Sequence, residues 1–318
     1  MKKWAKILLI ILLIIIIMII AVCWYGKNKL NKINYMDISK EDIEINEKVE
    51  EKLTGYRNIA IFGIDTRDNT YEDSRSDCIV IASINHDKKE IKLVSVYRDT
   101  YLKITGRSLD KVNHAYWYGG PALSLSTLNT NLDLNITEFV TVNFESTKDI
   151  IDKMGGVEIT VTSAEASQIP GIKSAGTYNL TGEQALAYGR IRKIDSDYAR
   201  TERMRKVLIA VFEKAKTMSI MELNKLADKL LPHIYTNIET KEILSLIPTV
   251  ASYKIVESKG WPYKTQGITL NGVWYGPPIT LEQNVVELHK ELFGEEDYKV
   301  TDKIKEISEK IIQKTGYR

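Results

Sequence analysis

Cysteine, proline and arginine are all scarce in this chain. Of 318 residues two are cysteine, Cys23 and Cys78. The first falls in a long apolar run and the second in a strand-like stretch, so no disulfide is expected. Seven prolines are present, and no internal repeat appears beyond an Ile/Leu run near the start. Charge of one sign is not in excess either: the formal net charge is +2, with no long basic stripe. That excludes the electrostatic footprint of a nucleic-acid-binding protein. The most informative scarcity is that of arginine, which occurs 11 times against 33 lysines. A chain so biased should keep arginine where a planar, forked cation is needed. Nine of the eleven lie between Arg67 and Arg205, five of them in RIRKIDSDYARTERMR at 190–205.

What is present begins with an apolar run. Residues 7–26 carry no charge, and twenty helical residues span roughly 30 Å, the thickness of a bilayer core. Lys2, Lys3 and Lys6 precede the run and Trp24-Tyr25 closes it, as an interfacial belt would. The rival is a signal peptide, but the apolar stretch is long and no small-x-small cleavage site follows. A lipoprotein site at Cys23 is disfavoured by the bulk of Val22. The expected organisation is a cytoplasmic tail (1–6), a transmembrane anchor (7–26), an extracytoplasmic stalk (27–54), a catalytic domain (55–294) and a charged helical tail (295–318). The stalk is charged, with sparse apolar positions. Lys27, Lys29 and Lys32 blunt the positive-inside signal, and the short tail favours the N-terminus inside. Apolar content of 44% supports a sizeable core.

The chain is organised around residues 58–99. Three apolar, β-branched runs (58–64, 78–84 and 90–96) read as strands. The turn NHDKK at 85–89 permits only a hairpin, and the polar loop 66–76 is too short for a helical crossover, so both pairs are antiparallel. One sheet edge then collects Asp65 with Arg67, Arg75 with Asp77, and Arg98 with Asp99. The second strand is apolar on both faces, Cys78, Val80 and Ala82 against Ile79 and Ile81, which predicts cover on both sides. Further on, Pro121 starts a helix to about Leu132, residues 139–144 and 157–161 are strands, and Thr181 caps a helix to about Arg190. Helices are also expected over 199–216, 221–231, 241–251 and 281–293, with Trp261-Pro262 in a loop. The class is α/β: an αβα sandwich around a mixed, largely antiparallel sheet, plus the transmembrane helix.

Two aspartates and several arginines on one edge suggest a diphosphate held jointly by guanidiniums and a divalent metal, for which magnesium suits oxygen ligands and substrate phosphates. Arg190, Arg192 and Arg200 flank the loop 193–198, which favours phosphate binding. Arg203 and Arg205 are equally well read as a helix face paired with Glu202 and Asp197.

GIDTR (63–67), SRSD (74–77), SVYRD (95–99), KVNHAY (111–116), GGVEITV (155–161) and LTGEQALAYGRIR with DSDYARTERMR (180–205) resemble, in order, the LytR-CpsA-Psr family. The resemblance implies transfer of a glycopolymer, such as teichoic acid or capsule, from a polyprenyl-diphosphate carrier to a peptidoglycan hydroxyl, outside the cell membrane and with Mg2+. It implies Asp65 and Asp77 as metal ligands. Arg98, Arg190, Arg192 and Arg200 would hold the diphosphate, supported by Arg75. Arg67, Arg203, Lys111 and Asn113 complete the expected substrate contacts; Lys111 and Asn113 are equally well read as capping a loop. Tyr97 replaces the family's usual proline, and Met204 a frequent glutamine.

The mechanism expected is attack of an acceptor hydroxyl on the glycan-side phosphorus. Asp99, Asp195 and Asp197 are open candidates for taking the proton, and Asp99 could equally brace Arg98. His114 reads as structural, since nothing in the sequence supplies it with an orienting carboxylate. Val207, Leu208, Val211 and Phe212 are candidates for a lipid groove, or for core. Hydrolysis of the same diphosphate and a non-catalytic regulator are the competing functions.

Overall fold

The computed structural model describes residues 33–65, 71 and 74–318. The predicted tail and anchor (1–26), residues 27–32 and Arg67 lie outside the described residues. Among the described residues no helix is long and apolar enough to cross a membrane.

Seven strands form the central sheet: β1 (Asn34–Tyr35), β2 (Tyr56–Ile64), β3 (Ser76–Asn85), β4 (Glu90–Val96), β5 (Glu138–Asn143), β6 (Ile234–Thr236) and β7 (Lys254–Trp261). Their order is β1-β6-β5-β2-β3-β4-β7. β2–β3 and β3–β4 are antiparallel, as the short connections require. The sheet is mixed but not largely antiparallel, which corrects the expectation: β2 pairs β5, β4 pairs β7 and β1 pairs β6 in parallel, against three antiparallel ladders. The reason is long-range, because β5 and β7 are delivered to their partners only after intervening helices.

β7 was not legible in the sequence. Its KIVESKGW breaks alternation, and Ile255 and Glu257 flank a bulge. It is an edge strand carrying Lys254, Glu257 and Lys259, charges that discourage pairing with another chain.

Six helices matter for the site: α1 (His114–Leu132), α2 (Phe144–Lys153), α3 (Gly182–Gly189), α4 (Asp197–Lys216), α5 (Leu281–Phe293) and α6 (Asp302–Thr315). One face of the sheet (Phe62, Ile79, Ile81, Val94, Val96) packs with Tyr116 and Leu125 of α1, Leu288 of α5 and Ile307 of α6. The other face (Val80, Ala82, Leu93) packs with Leu208 and Ile209 of α4. Both sides are covered, as the two-faced β3 predicts. The main core also takes Ile43, Val49 and Leu53 from the segment read as a stalk, and Ile304 and Ile311 from the segment read as a tail. A third cluster joins Ile151 of α2, Val157 and Leu180 of a hairpin, Tyr188 of α3 and Val207 of α4. Each fully buried large side chain contributes about 1.5–3 kcal/mol, so Phe62→Ala at the sheet's centre should cost about 3–5 kcal/mol.

Candidate active site

The site lies on the edge where β2 ends, β3 begins and β4 ends. A cavity of about 410 Å³ there is lined by Asp65, Ser74, Arg75, Asp77, Arg98, Asp99, Lys111, Asn113 and His114. Strand register places the acids: Ile64 pairs with Ser76 and Gly63 with Cys78, with Asp77 in the bulge between, so Asp65 and Asp77 fall at the same end of the β2–β3 ladder.

Arg98 links the parts. Its Nη1 donates to Asp77 Oδ1 at 2.7 Å and its Nε to Asp197 Oδ2 at 3.3 Å, with Asp99 Oδ2 at 3.5 Å. Burial disfavours its charge, but the hydrogen bond and charges of Asp77, Asp197 and Asp99 outweigh burial and raise its pKa. Arg190 Nη2 donates to Asp65 Oδ1 at 2.7 Å, and its guanidinium lies 5.0 Å over the Phe144 ring. Lys111 Nζ lies 2.7 Å from Asp99 Oδ1. Arg192 is exposed and makes no ion pair among the described residues. Arg75 is exposed over Trp117.

Arg200 is the unusual member. It is 1% exposed, and none of its guanidinium nitrogens has a hydrogen-bond partner. Its Nη1 sits 3.0 Å from Asp197 Oδ1 without hydrogen-bond alignment. Burial, reinforced by the charges of Arg98 and Arg192, pushes its pKa down from the usual arginine value. A buried, under-satisfied guanidinium is costly unless an anion arrives to pair with it. Asn113 is also buried and lines the cavity, and its Oδ1, an acceptor, has no partner.

Arg203 does not belong to the site, which corrects the expectation. Its Nε donates to Glu165 Oε1 at 2.8 Å, its Nη1 to the Ile191 carbonyl at 3.1 Å, and its Nη2 to Asp195. Two of these nitrogens hold the loop after α3 and the third holds Glu165 ahead of it, and the side chain is buried away from the cavity. Asp195 is occupied by the same contact. Asp99 and Asp197 are likewise each tied to cations.

His114 also departs from its sequence reading. Nδ1 lies 2.9 Å from Asp110 Oδ2, the orienting carboxylate the sequence did not reveal. Asp110 sits on a short strand (Leu109–Lys111) and His114 opens α1, so their four-residue separation is not a helical one and gave no signal. Burial raises the Asp110 pKa, but hydrogen bonds from His114, the Lys111 N–H and the Tyr118 hydroxyl outweigh it and hold it low.

Of the candidate lipid-groove residues, Val207 is core and Val211 packs on the same cluster, while Leu208 lies against the sheet.

Among the described residues no group of three or more His, Cys, Asp or Glu gathers as a metal cage. Two carboxylates sharing one cavity nevertheless fit magnesium, which is commonly held by one or two carboxylates plus substrate phosphates.

The fold and site define a class: an α/β protein that gathers guanidiniums, an ammonium and three aspartates in one cavity at a sheet edge. The chain belongs to the LytR_cpsA_psr family, which matches residues 20–292. It is 31% identical to the polyisoprenyl-teichoic acid–peptidoglycan teichoic acid transferase TagT of Bacillus subtilis, over 84% of this chain and 89% of that protein. It is 34% identical to the corresponding TagU of Enterococcus faecalis, covering 69% of this chain and 74% of that one. The structure of TagT bound to LIIa-WTA superposes with a TM-score of 0.65 at 30% identity, over 76% of this chain and 91% of that chain. That of TagT (YwtF) with bound octaprenyl pyrophosphate lipid gives 0.60 at 27% identity, over 76% and 90%.

Proposed function

We propose that this protein is a membrane-anchored transferase that moves a glycopolymer from a polyprenyl-diphosphate carrier to peptidoglycan, with its catalytic domain outside the cell membrane. The observation that carries this reading is Arg200, a buried guanidinium without hydrogen-bond partners, joined through Asp197 and Arg98 to the acid-lined cavity. The names of the relatives, and the lipid diphosphate bound by one of them, support it. The uncharged run at 7–26 supports the anchor.

Arg98, Arg190, Arg192 and Arg200 would neutralise and orient the diphosphate, with Arg75, Lys111 and Asn113 at its rim. An acceptor hydroxyl attacks the glycan-side phosphorus, and polyprenyl phosphate leaves with the bridging oxygen. Asp65 and Asp77 would hold Mg2+, which when bound offsets charge on the phosphate oxygens. Both acids meet arginines in the present arrangement, so these contacts would be exchanged on loading.

The test is an incubation of the full chain in detergent with Mg2+, a synthetic polyprenyl-diphosphate saccharide and peptidoglycan oligomers. A covalently linked product is expected; release of free saccharide phosphate with no linked product would replace transfer by hydrolysis. Parallel reactions with teichoic acid and capsular donors identify the polymer.

A further inference from the structure

Trp117 is a large aromatic residue that contributes to none of the three apolar clusters. It is 44% exposed. It lies in the opening turns of α1, which are set apart by non-helical geometry at Gly119 and Gly120; Gly120 has φ 61°. A left-handed backbone there suits glycine. The short segment 114–118 is thereby turned independently of the longer, buried part of the helix.

The indole stands in a stack of rings and cations. Its centroid is 5.2 Å from that of Tyr118 at 33°, and the Arg75 guanidinium lies 5.4 Å above it. Arg107 covers Tyr118 at 4.2 Å. His114 touches both rings edge-on, at 6.1 and 5.9 Å. Asp110 joins the set: Oδ2 takes the His114 contact and a 2.9 Å hydrogen bond from the Tyr118 hydroxyl. His114 and Arg75 line the cavity, so this aromatic step is continuous with it.

We propose that Trp117 and Tyr118 form the platform on which the acceptor saccharide rests, and that His114, oriented by Asp110, takes the proton from its attacking hydroxyl. The inference rests on the transferase reading and names the acceptor side of that same site. Position supports it. α1 packs on one face of the sheet and α4, with Arg200, on the other, so the cavity has two flanks. In-line displacement requires nucleophile and leaving group on opposite sides of the phosphorus. In this arrangement the prenyl phosphate end is assigned to the α4 flank beside Arg200, which leaves the α1 flank, where His114 and Trp117 stand, to the nucleophile. The candidate carboxylates Asp99, Asp195 and Asp197 are already held by cations, whereas His114 Nδ1 rests on Asp110 and leaves Nε2 for the acceptor. The partly exposed indole of Trp117 suits an apolar C–H face of a pyranose, with the Arg75 and Arg107 guanidiniums that lie over the two rings turning to its hydroxyls.

In the step, the acceptor O–H gives its proton to Nε2 as its oxygen bonds to the glycan-side phosphorus. The bond from that phosphorus to the bridging oxygen breaks, and the electron pair leaves with polyprenyl phosphate. The imidazolium then returns its proton to solvent.

The experiment measures steady-state transfer by the full chain, varying acceptor and donor separately. Trp117→Ala should raise the acceptor KM at least about tenfold with the donor KM little changed, and Trp117→Phe should restore most of it. His114→Ala should lower kcat about 10²–10⁴-fold, with partial recovery on adding imidazole and unchanged binding of a prenyl-diphosphate analogue. An unchanged acceptor KM in Trp117→Ala, an effect on donor KM alone, or full kcat in His114→Ala would overturn the inference while leaving transfer intact. Wild type that releases free saccharide phosphate but forms no linked product would remove the transferase reading and the acceptor site together.

Discussion

One guanidinium, that of Arg98, contacts Asp77 at the start of β3 and Asp197 at the start of α4, at 2.7 and 3.3 Å. A single side chain thus ties the sheet edge to the helix that presents Arg200. A lysine reaches only one of these partners at a time. Arg98→Lys should therefore reduce kcat about 10²–10³-fold, the usual cost of one oriented donor at a developing charge. Circular dichroism melting should move only slightly, since Arg98 is still partly exposed.

Arg200 carries the opposite expectation for stability. Its buried guanidinium lacks hydrogen-bond partners, a cost of about 1–3 kcal/mol. Arg200→Met should abolish binding of a prenyl-diphosphate analogue while melting at the wild-type temperature or above. Marked destabilisation would show that the side chain is a strut rather than a ligand contact.

Arg203 should behave as a strut. Arg203→Lys breaks contacts to Glu165, Asp195 and the Ile191 carbonyl and should lower stability by about 3–5 kcal/mol. Denaturant titration measures this, and diphosphate affinity of the folded fraction should stay near wild type.

Glu165 makes that pair pH-dependent. Burial raises its pKa, but hydrogen bonds from Thr162 and Arg203 outweigh burial and lower it. A carboxylate with a lowered folded pKa contributes stability that is fully present above its unfolded value near about 4.3 and is lost as pH falls through the folded one. Glu165→Gln should thus be less stable than wild type at pH 7, with the gap closing below about pH 4.3 in urea titrations.

Gly182 opens α3 where that helix meets α2. A Cβ there would run into the Lys148 backbone carbonyl, and backbone cannot swing aside as a side-chain tip can. Its N–H also donates to Asp152 Oδ1 at 2.7 Å. Gly182→Ala should cost about 1–3 kcal/mol by thermal melting, and more if α3 shifts and displaces Arg190 from Asp65.

A related close approach accommodates Tyr97, which stands where the family resemblance led to an expectation of proline. A Cβ on Gly260 of β7 would overlap the Tyr97 hydroxyl. Tyr97 fits because the adjacent edge strand has a glycine opposite it.

Local pattern by itself determined β2, β3 and β4, their antiparallel pairing and the shared edge of Asp65, Asp77 and Arg98, because alternation and short connections act within some forty residues. Arginine bias marked the cations for the same reason: residue choice reflects what a side chain must do. Only tertiary structure decided which arginines serve the cavity. Arg200 and Arg203 lie three residues apart on α4, yet one is left without hydrogen-bond partners and the other is bonded on every nitrogen. That division depends on what α3 and the sheet bring against each face of the helix. The same holds for Asp110 and His114, neighbours through a strand-to-helix corner that no periodicity describes, and for β7, which finds β4 across more than 150 residues. Contacts of that kind are set by how whole elements pack, and packing is not written in any single stretch of chain.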